Sequence, residues 1–353
     1  MAPDDVSGIA HAMDQGQIDP AGIVAVFGKT EGNGLVNDFS RGLATRALRD
    51  LLEARAGAAL AANVAAVMSG GTEGGMAPHW LVFEKGSGDP DGPRPALAIG
   101  VAHTPDLPAA HLGRPKQVAL VCDGVQRALR NAQITASNDV HFVQIKCPLL
   151  TADRIAAAEA RGETVAIRDT LKSMGASRGA SALGVAAALG EIPLEEISAD
   201  RILGDPSLYS DRASTSAGIE LLNHEIVVLG MSPDWTGPLA IDHAVMADAL
   251  DVEPVRAALI RLGLDAKGQL DQADGARLVA MLAKAEASRD GRLRGRRHVM
   301  NDDSDIASTR HARAFVAGAL GGLVGHGEIY VSGGAEHQGP DGGGPVAAIV
   351  RRD

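Results

Sequence analysis

Aromatic side chains make up only 3% of this 353-residue sequence, too few for the stacked-ring platforms on which single-stranded nucleic acids lie. Cysteine is scarcer still. Cys122 and Cys147 alone cannot build a disulfide framework, and no Cys-x-x-Cys knuckle exists. Positive charge is in deficit: 33 Lys and Arg against 44 Asp and Glu give a net charge of −11. That balance excludes nucleic acid or an anionic membrane as an obligate partner, while leaving room for a local basic pocket. No apolar run approaches the roughly 20 residues that span a bilayer. Met1-Ala2-Pro3-Asp4-Asp5 lacks the basic and apolar regions of a secretory signal, so the expected location is cytoplasmic. The 11 histidines show no His-x-x-x-His or comparable ligand pair, so zinc is not indicated.

Apolar residues are 45% of the chain, enough for a large core and about two or three domains. A short pattern recurs three times: a lysine, then Ser/Thr-Arg, then Ser-(Gly/Ala)-Gly-x-Glu. The first set is Lys29, Ser40-Arg41 and Ser69-Gly70-Gly71-Thr72-Glu73. The second is Lys146, Ser177-Arg178 and Ser216-Ala217-Gly218-Ile219-Glu220. The third is Lys284, Thr309-Arg310 and Ser332-Gly333-Gly334-Ala335-Glu336. The separation from lysine to serine varies from set to set, so this is not a fixed-period solenoid. The order points to three homologous units, 1–104, 105–248 and 249–353, around a site with pseudo-threefold symmetry.

The apolar run Gly22–Gly28 reads as a buried strand ending at Lys29. A helix is expected over 38–56, then strands at 62–68, 80–84 and 96–102, with a turn at 86–95. The second unit reads as helix 113–132, strand 141–146, helices 152–161 and 178–189, an irregular stretch 200–214, and strands 225–229 and 239–244. Ser177 is the expected N-cap of the helix that carries Arg178. The third unit reads as helices 254–262, 275–287 and 305–324, then strands 328–331 and 345–351. Lys284 falls on the second of these helices and Arg310 on the third. The fold class is therefore α/β (α+β), an arrangement of strands and long helices repeated three times.

Three local motifs mislead. Phe27-Gly28-Lys29-Thr30 resembles the end of a phosphate-binding loop, but Ile23 stands where the first glycine belongs and the span between is a strand. Gly175-Ala176-Ser177-Arg178-Gly179 matches G-x-S-x-G without the buried strand a nucleophile elbow needs. Asn301 to Asp305 lacks the glycine and terminal glutamate of a calcium loop.

The recurring set itself has a chemical reading. A serine hydroxyl becomes a nucleophile when a neutral lysine takes its proton. Burial and neighbouring positive charge both lower a lysine pKa. The Ser-Gly turns add backbone N–H groups suited to a carbonyl oxygen or oxyanion. Any one lysine could be a solvated strand end and any one serine a turn residue; the recurrence favours a site.

Several long blocks carry a further resemblance: 28–34 (GKTEGNG), 68–74 (MSGGTEG), 141–150 (HFVQIKCPLL), 177–184 (SRGASALG), 216–220 (SAGIE), 308–313 (STRHAR) and 331–340 (VSGGAEHQGP). Over nearly its whole length the sequence resembles the ring-opening amidohydrolases, the family of cyanuric acid hydrolase and barbiturase. The resemblance implies three concatenated α/β units around a central active site, and a homotetramer. It implies cyanuric acid as substrate, clamped by Arg41, Arg178 and Arg310 and by Ser69-Gly70, Ser216-Ala217 and Ser332-Gly333. It implies Ser216 as nucleophile and Lys146 as base, with Lys29 and Lys284 polarising the other two edges of the ring. The expected product is carboxybiuret, which loses CO₂ to give biuret. No cofactor is implied for the chemistry. A structural divalent cation, Mg²⁺ or Ca²⁺, is implied at Glu286 and at backbone oxygens of Ala335, Gln338, Gly339, Pro340 and Gly343. Barbiturase activity, or ligand binding without catalysis on a similar architecture, are the alternatives.

Overall fold

In each third of the chain a strand ending in lysine lies parallel to a strand ending in serine. The computed structural model describes residues 2–89 and 91–352. Met1 and Asp353, the outer bounds of the expected units, and Pro90, within the expected 86–95 turn, lie outside the described residues. The first third contains α1 (Ser7–Asp14), β1 (Ile23–Thr30), α2 (Phe39–Ala56), α3 (Ala58–Asn63), β2 (Ala65–Gly70), β3 (His79–Glu84) and β4 (Ala96–His103). The second contains α4 (Pro115–Ala132), β5 (Val140–Pro148), α5 (Ala152–Ala160), α6 (Thr170–Leu189), β6 (Ala213–Gly218), β7 (Glu225–Ser232) and β8 (Leu239–Met246). The third contains α7 (Glu253–Arg261), α8 (Gln272–Arg277), β9 (Leu278–Ala285), the two-residue strands β10 (Arg292–Leu293) and β11 (Arg296–Arg297), α9 (Ser308–Val324), β12 (Tyr330–Gly333) and β13 (Gly344–Arg351).

The main sheets have the orders β2-β1-β3, β6-β5-β7-β4 and β12-β9-β13-β8. Strands β4 and β8 leave their own third of the chain and pair antiparallel with β7 and β13 of the next. The sheets are thus not confined to 1–104, 105–248 and 249–353; the units are laced together by backbone hydrogen bonds.

The period-2 alternation of a strand decides which side chains face the centre. Ala25, Phe27, Val67, Phe142, Leu282 and Tyr330 share one core formed by the inner faces of all three sheets. Along the same strands, Lys29, Lys284, Ser69 and Ser332 fall on that inner parity and continue it beyond the apolar layer. On β5 and β6 the outer parity, Val143, Ile145, Ala213 and Ala217, packs with residues of α4 and α6, which leaves Lys146 and Ser216 facing inward. The helices cover the outer faces: Leu48 and Leu52 of α2 pack with Val26 and Met68, and Leu320 of α9 packs with Val331. So three amphipathic sheets bury one common core and deliver their polar strand ends to one place.

Two expected elements differ. Lys284 lies on a strand, β9, and the expected helix 275–287 is reduced to the short α8 that precedes it. Helix α6 begins eight residues before Arg178, capped by Asp169, whose side chain accepts from the Lys172 amide. Ser177, the expected cap, is instead fully buried within the helix.

Candidate active site

The paired strand ends put each lysine opposite its serine: Lys29 with Ser69, Lys146 with Ser216, and Lys284 with Ser332 are Cα partners in the parallel ladders. All six side chains are buried, the lysines at 1–2% exposure. Lys29 Nζ donates to Ser69 Oγ at 3.2 Å, and Lys284 Nζ to Ser332 Oγ at 3.2 Å. The middle pair differs. Lys146 Nζ donates to the Met68 carbonyl at 2.7 Å and lies 3.1 Å from Glu220. Ser216 Oγ is instead 2.9 Å from Ser332 Oγ. Lysines also tie one unit to the carbonyl before another unit's serine, Lys146 to Met68 O and Lys284 to Thr215 O at 2.9 Å.

Around the serines stands a ring of arginines. Arg41, Arg178 and Arg313 line one small central cavity with Ser69, Ser216 and Ser332. Gly70, Ala217 and Gly333 border it as expected. Arg310 does not. Its side chain is 36% exposed against 3% for Arg313, and its Nε donates to Glu73 Oε1 at 3.0 Å. The third clamp expected at Arg310 is therefore corrected to Arg313, one helical turn further on α9.

Each arginine is held by a motif glutamate of another unit. Arg178 binds Glu336 through Nε at 2.7 Å and a second nitrogen at 2.6 Å; Arg313 binds Glu73 through Nε at 2.8 Å; Arg41 Nε lies 3.5 Å from Glu220. The pairing is cyclic, first unit to second, second to third, third to first. The glutamates were visible in all three motifs, but a sequence offers no sign of which cation an acid will meet.

Burial, with these pairs behind it, sets the lysines' charge. Arginine stays protonated, so the three Arg–Glu pairs cancel and leave the buried ammonium groups with little compensation. Burial, then Arg313, pushes Lys29 well below the ordinary lysine range. Burial, then Arg178, lowers Lys284 to about 7. Burial lowers Lys146 too, but Glu220 opposes the shift. Burial raises Glu336, yet Arg178 outweighs it and holds the carboxyl at about 2. The arrangement offers hydroxyls beside readily neutralised amines, backbone N–H groups at tight turns, and fixed positive charge: the parts of an acyl-transfer site.

A recess of about 520 Å³ next to this centre is lined by Glu286, Ala335, Gly339 and Pro340. Burial and then the nearby Glu336 push the Glu286 carboxyl up to about 6. The half-buried Glu286 carboxylate accepts from the Ala287 and Ala335 amides at 3.0 and 3.3 Å, and a carboxylate beside a Gly/Pro loop suits a hard divalent ion. Gln338 and Gly343 belong to the same loop. The Gln338 side chain accepts from the Thr215 amide at 2.7 Å, and the Gly343 amide donates to the Pro340 carbonyl. The loop thereby holds the residue just before Ser216.

A shared core of three similar sheets with one central Ser/Lys/Arg site defines a concatenated α/β hydrolase. Residues 1–351 match the amidohydrolase ring-opening protein family, and the chain belongs to it. It is 64% identical over 351 residues to the cyanuric acid amidohydrolase of Azorhizobium caulinodans, covering 99% of this chain and 96% of that one. It is 61% identical over 356 residues to the cyanuric acid amidohydrolase of Bradyrhizobium sp. (strain ORS 375), covering 99% and 95%. The crystal structure of the A. caulinodans cyanuric acid hydrolase superposes with a TM-score of 0.93 over 99% of this chain and 96% of that one. A second solved cyanuric acid hydrolase, described as an innovation by structural concatenation, superposes with a TM-score of 0.93 at 47% identity, covering 99% and 96%.

Proposed function

We propose that this protein hydrolyses cyanuric acid. The observation that carries the reading is the threefold set of Arg41, Arg178, Arg313 and three Ser-Gly/Ala turns around one buried cavity. Cyanuric acid has the same symmetry, with three carbonyls alternating with three ring N–H groups, and the relatives described above bear that activity in their names. Ser216 Oγ attacks a ring carbonyl carbon and its proton passes to Lys146. The backbone N–H groups of the serine turns stabilise the oxyanion, the ring C–N bond breaks, and the departing nitrogen takes the proton. Water then cleaves the acyl-serine, releasing carboxybiuret, which loses CO₂ to give biuret. Lys29 and Lys284, with Ser69 and Ser332, hold the other two edges. Ser216→Ala in a normally folded protein is expected to abolish turnover; retained turnover would overturn the assignment.

A second reading of the base rests on one contact chain. Ser216 Oγ touches Ser332 Oγ, which Lys284 Nζ reaches, at 2.9 and 3.2 Å, whereas Lys146 is drawn to Glu220. In that reading Lys284 takes the proton through Ser332. Barbiturate keeps the three carbonyls and differs at one ring position, so the same clamps admit it, and product analysis separates the substrates.

Glu286, with backbone oxygens of Ala335, Gln338, Gly339, Pro340 and Gly343, would hold a structural Mg²⁺ or Ca²⁺, whose chemistry is to fix the loop behind Thr215. Chelation is expected to lower the melting temperature of the wild type but not of Glu286→Gln. The proposed assembly is a homotetramer, supported by the half-buried apolar strand β3, which among the described residues pairs only with β1 while β7 and β13 pair on both edges. A solution mass of four 36.2 kDa chains tests it. A cytoplasmic setting is supported by two buried free thiols, Cys122 and Cys147. No helix among the described residues is long and apolar enough to cross a membrane.

A further inference from the structure

At the opposite end of β5 from Lys146, three ligand-type side chains converge. His141 sits where β5 bulges against β7, with its register shift between Val140 and Phe142. Asp242 and His243 are consecutive in β8, which pairs with β13 in the next sheet. His141 Nδ1 lies 2.9 Å from His243 Nδ1 and 3.5 Å from Asp242 Oδ1. All the donor atoms of the group fall within 4.8 Å of one another. Four donors at zinc-ligand distances in a tetrahedron are about 3.3 Å apart, within the spread seen here. The imidazoles meet at an interplanar angle of 65° with centroids 5.1 Å apart, edge toward ring rather than stacked.

The surroundings suit a metal. The second Asp242 oxygen accepts from Arg261 Nε at 2.6 Å, which fixes the carboxylate from behind as outer partners of metal ligands do. Arg212 opposes positive charge at both rings, but its own charge is paired with Glu191 at 2.8 Å. Two nitrogens and one oxygen favour a borderline transition ion over Mg²⁺ or Ca²⁺, which prefer all-oxygen sets.

We propose that His141, Asp242 and His243 form a zinc-class site that pins β5 to β8. Its place in the fold makes it structural. His141 is five residues from Lys146 along an extended strand, about 17 Å, so an ion there ties two sheets without touching substrate. The two histidines are 102 residues apart in sequence, which is why no ligand spacing announced them.

The test uses the full chain, stripped with chelator and returned to excess Mg²⁺ so that the Glu286 loop is supplied. One equivalent of Zn²⁺ is added, and metal content after desalting and melting temperature are measured. The expected result is about one zinc retained per chain and a higher melting temperature. Both gains disappear in His141→Asn/His243→Asn and persist in Glu286→Gln. Zinc retained equally by the double variant would assign it to other surface histidines and overturn the site. No zinc retained by the wild type would mean that the rings merely share a proton. Should the double variant misfold, Co²⁺ added to the wild type decides: a visible ligand-field band of a low-symmetry N₂O site supports the proposal, and its absence overturns it.

Discussion

Glu220 differs from the other motif glutamates in touching a motif lysine, Lys146, at 3.1 Å, and this contact separates the two candidate bases. Burial lowers the Lys146 pKa while Glu220 raises it. Glu220→Gln removes the opposing influence, so the Lys146 pKa falls further and more of it is neutral at any given pH. If Lys146 is the base, kcat/KM rises with pH to a plateau below the ordinary lysine range of about 10.4, and Glu220→Gln moves that acid limb to lower pH. If Lys284 is the base, the limb stays where it is. At the other end of the ring, Arg313→Ala removes the two-nitrogen partner of the half-buried Glu73 and leaves it Arg310 alone at 3.0 Å. The expected cost is about 1–3 kcal/mol of stability and, from losing a fixed positive donor, about 10²–10³-fold in kcat. Arg310→Ala, on a partly exposed arginine, should cost under about 1 kcal/mol; urea denaturation and steady-state rates distinguish them. The sequence motif pointed at the first arginine of Thr309-Arg310-His311-Ala312-Arg313. Residues three apart share a helix face, so pattern alone could not rank them, and burial does.

Elements were legible where their two faces differ. β1, α2 and β13 lie close to their expected positions because apolar periodicity and flanking turns agree. β9 was hidden because Met281, Leu282 and Ala283 are buried on both faces, leaving an apolar, alanine-rich run that local propensity assigns to helix. The start of α6 was hidden for a related reason. Buried nearly all round, it lacks the polar stripe that marks an amphipathic helix. Packing between layers is close enough to test one atom at a time. A Cβ at Gly100 on β4 would strike the Ala128 carbonyl of α4. Gly100→Ala should therefore push α4 off the sheet and cost about 1–3 kcal/mol in denaturant unfolding. A neutral result would contradict the observed contact between strand and helix.

On the scale of the whole molecule, the site exists only because three units are joined in a ring. Arg41 meets Glu220, Arg178 meets Glu336, and Arg313 meets Glu73, so every clamp spans two units and none is complete within one. Strands β4 and β8 carry the same dependence into the backbone. Threefold recurrence was legible in the sequence. The cyclic pairing and the exchanged strands were not, because both depend on contacts between segments far apart in the chain. In the proposed mechanism, symmetric units bind a symmetric ring, and the asymmetry at Lys146, Glu220 and Ser216 would mark one edge for attack. The most direct measurement is product analysis of the purified protein given cyanuric acid and, separately, barbituric acid. The account predicts biuret and CO₂ from cyanuric acid, with none formed by Ser216→Ala. Folded protein that leaves cyanuric acid intact, or that opens only barbiturate, would contradict it.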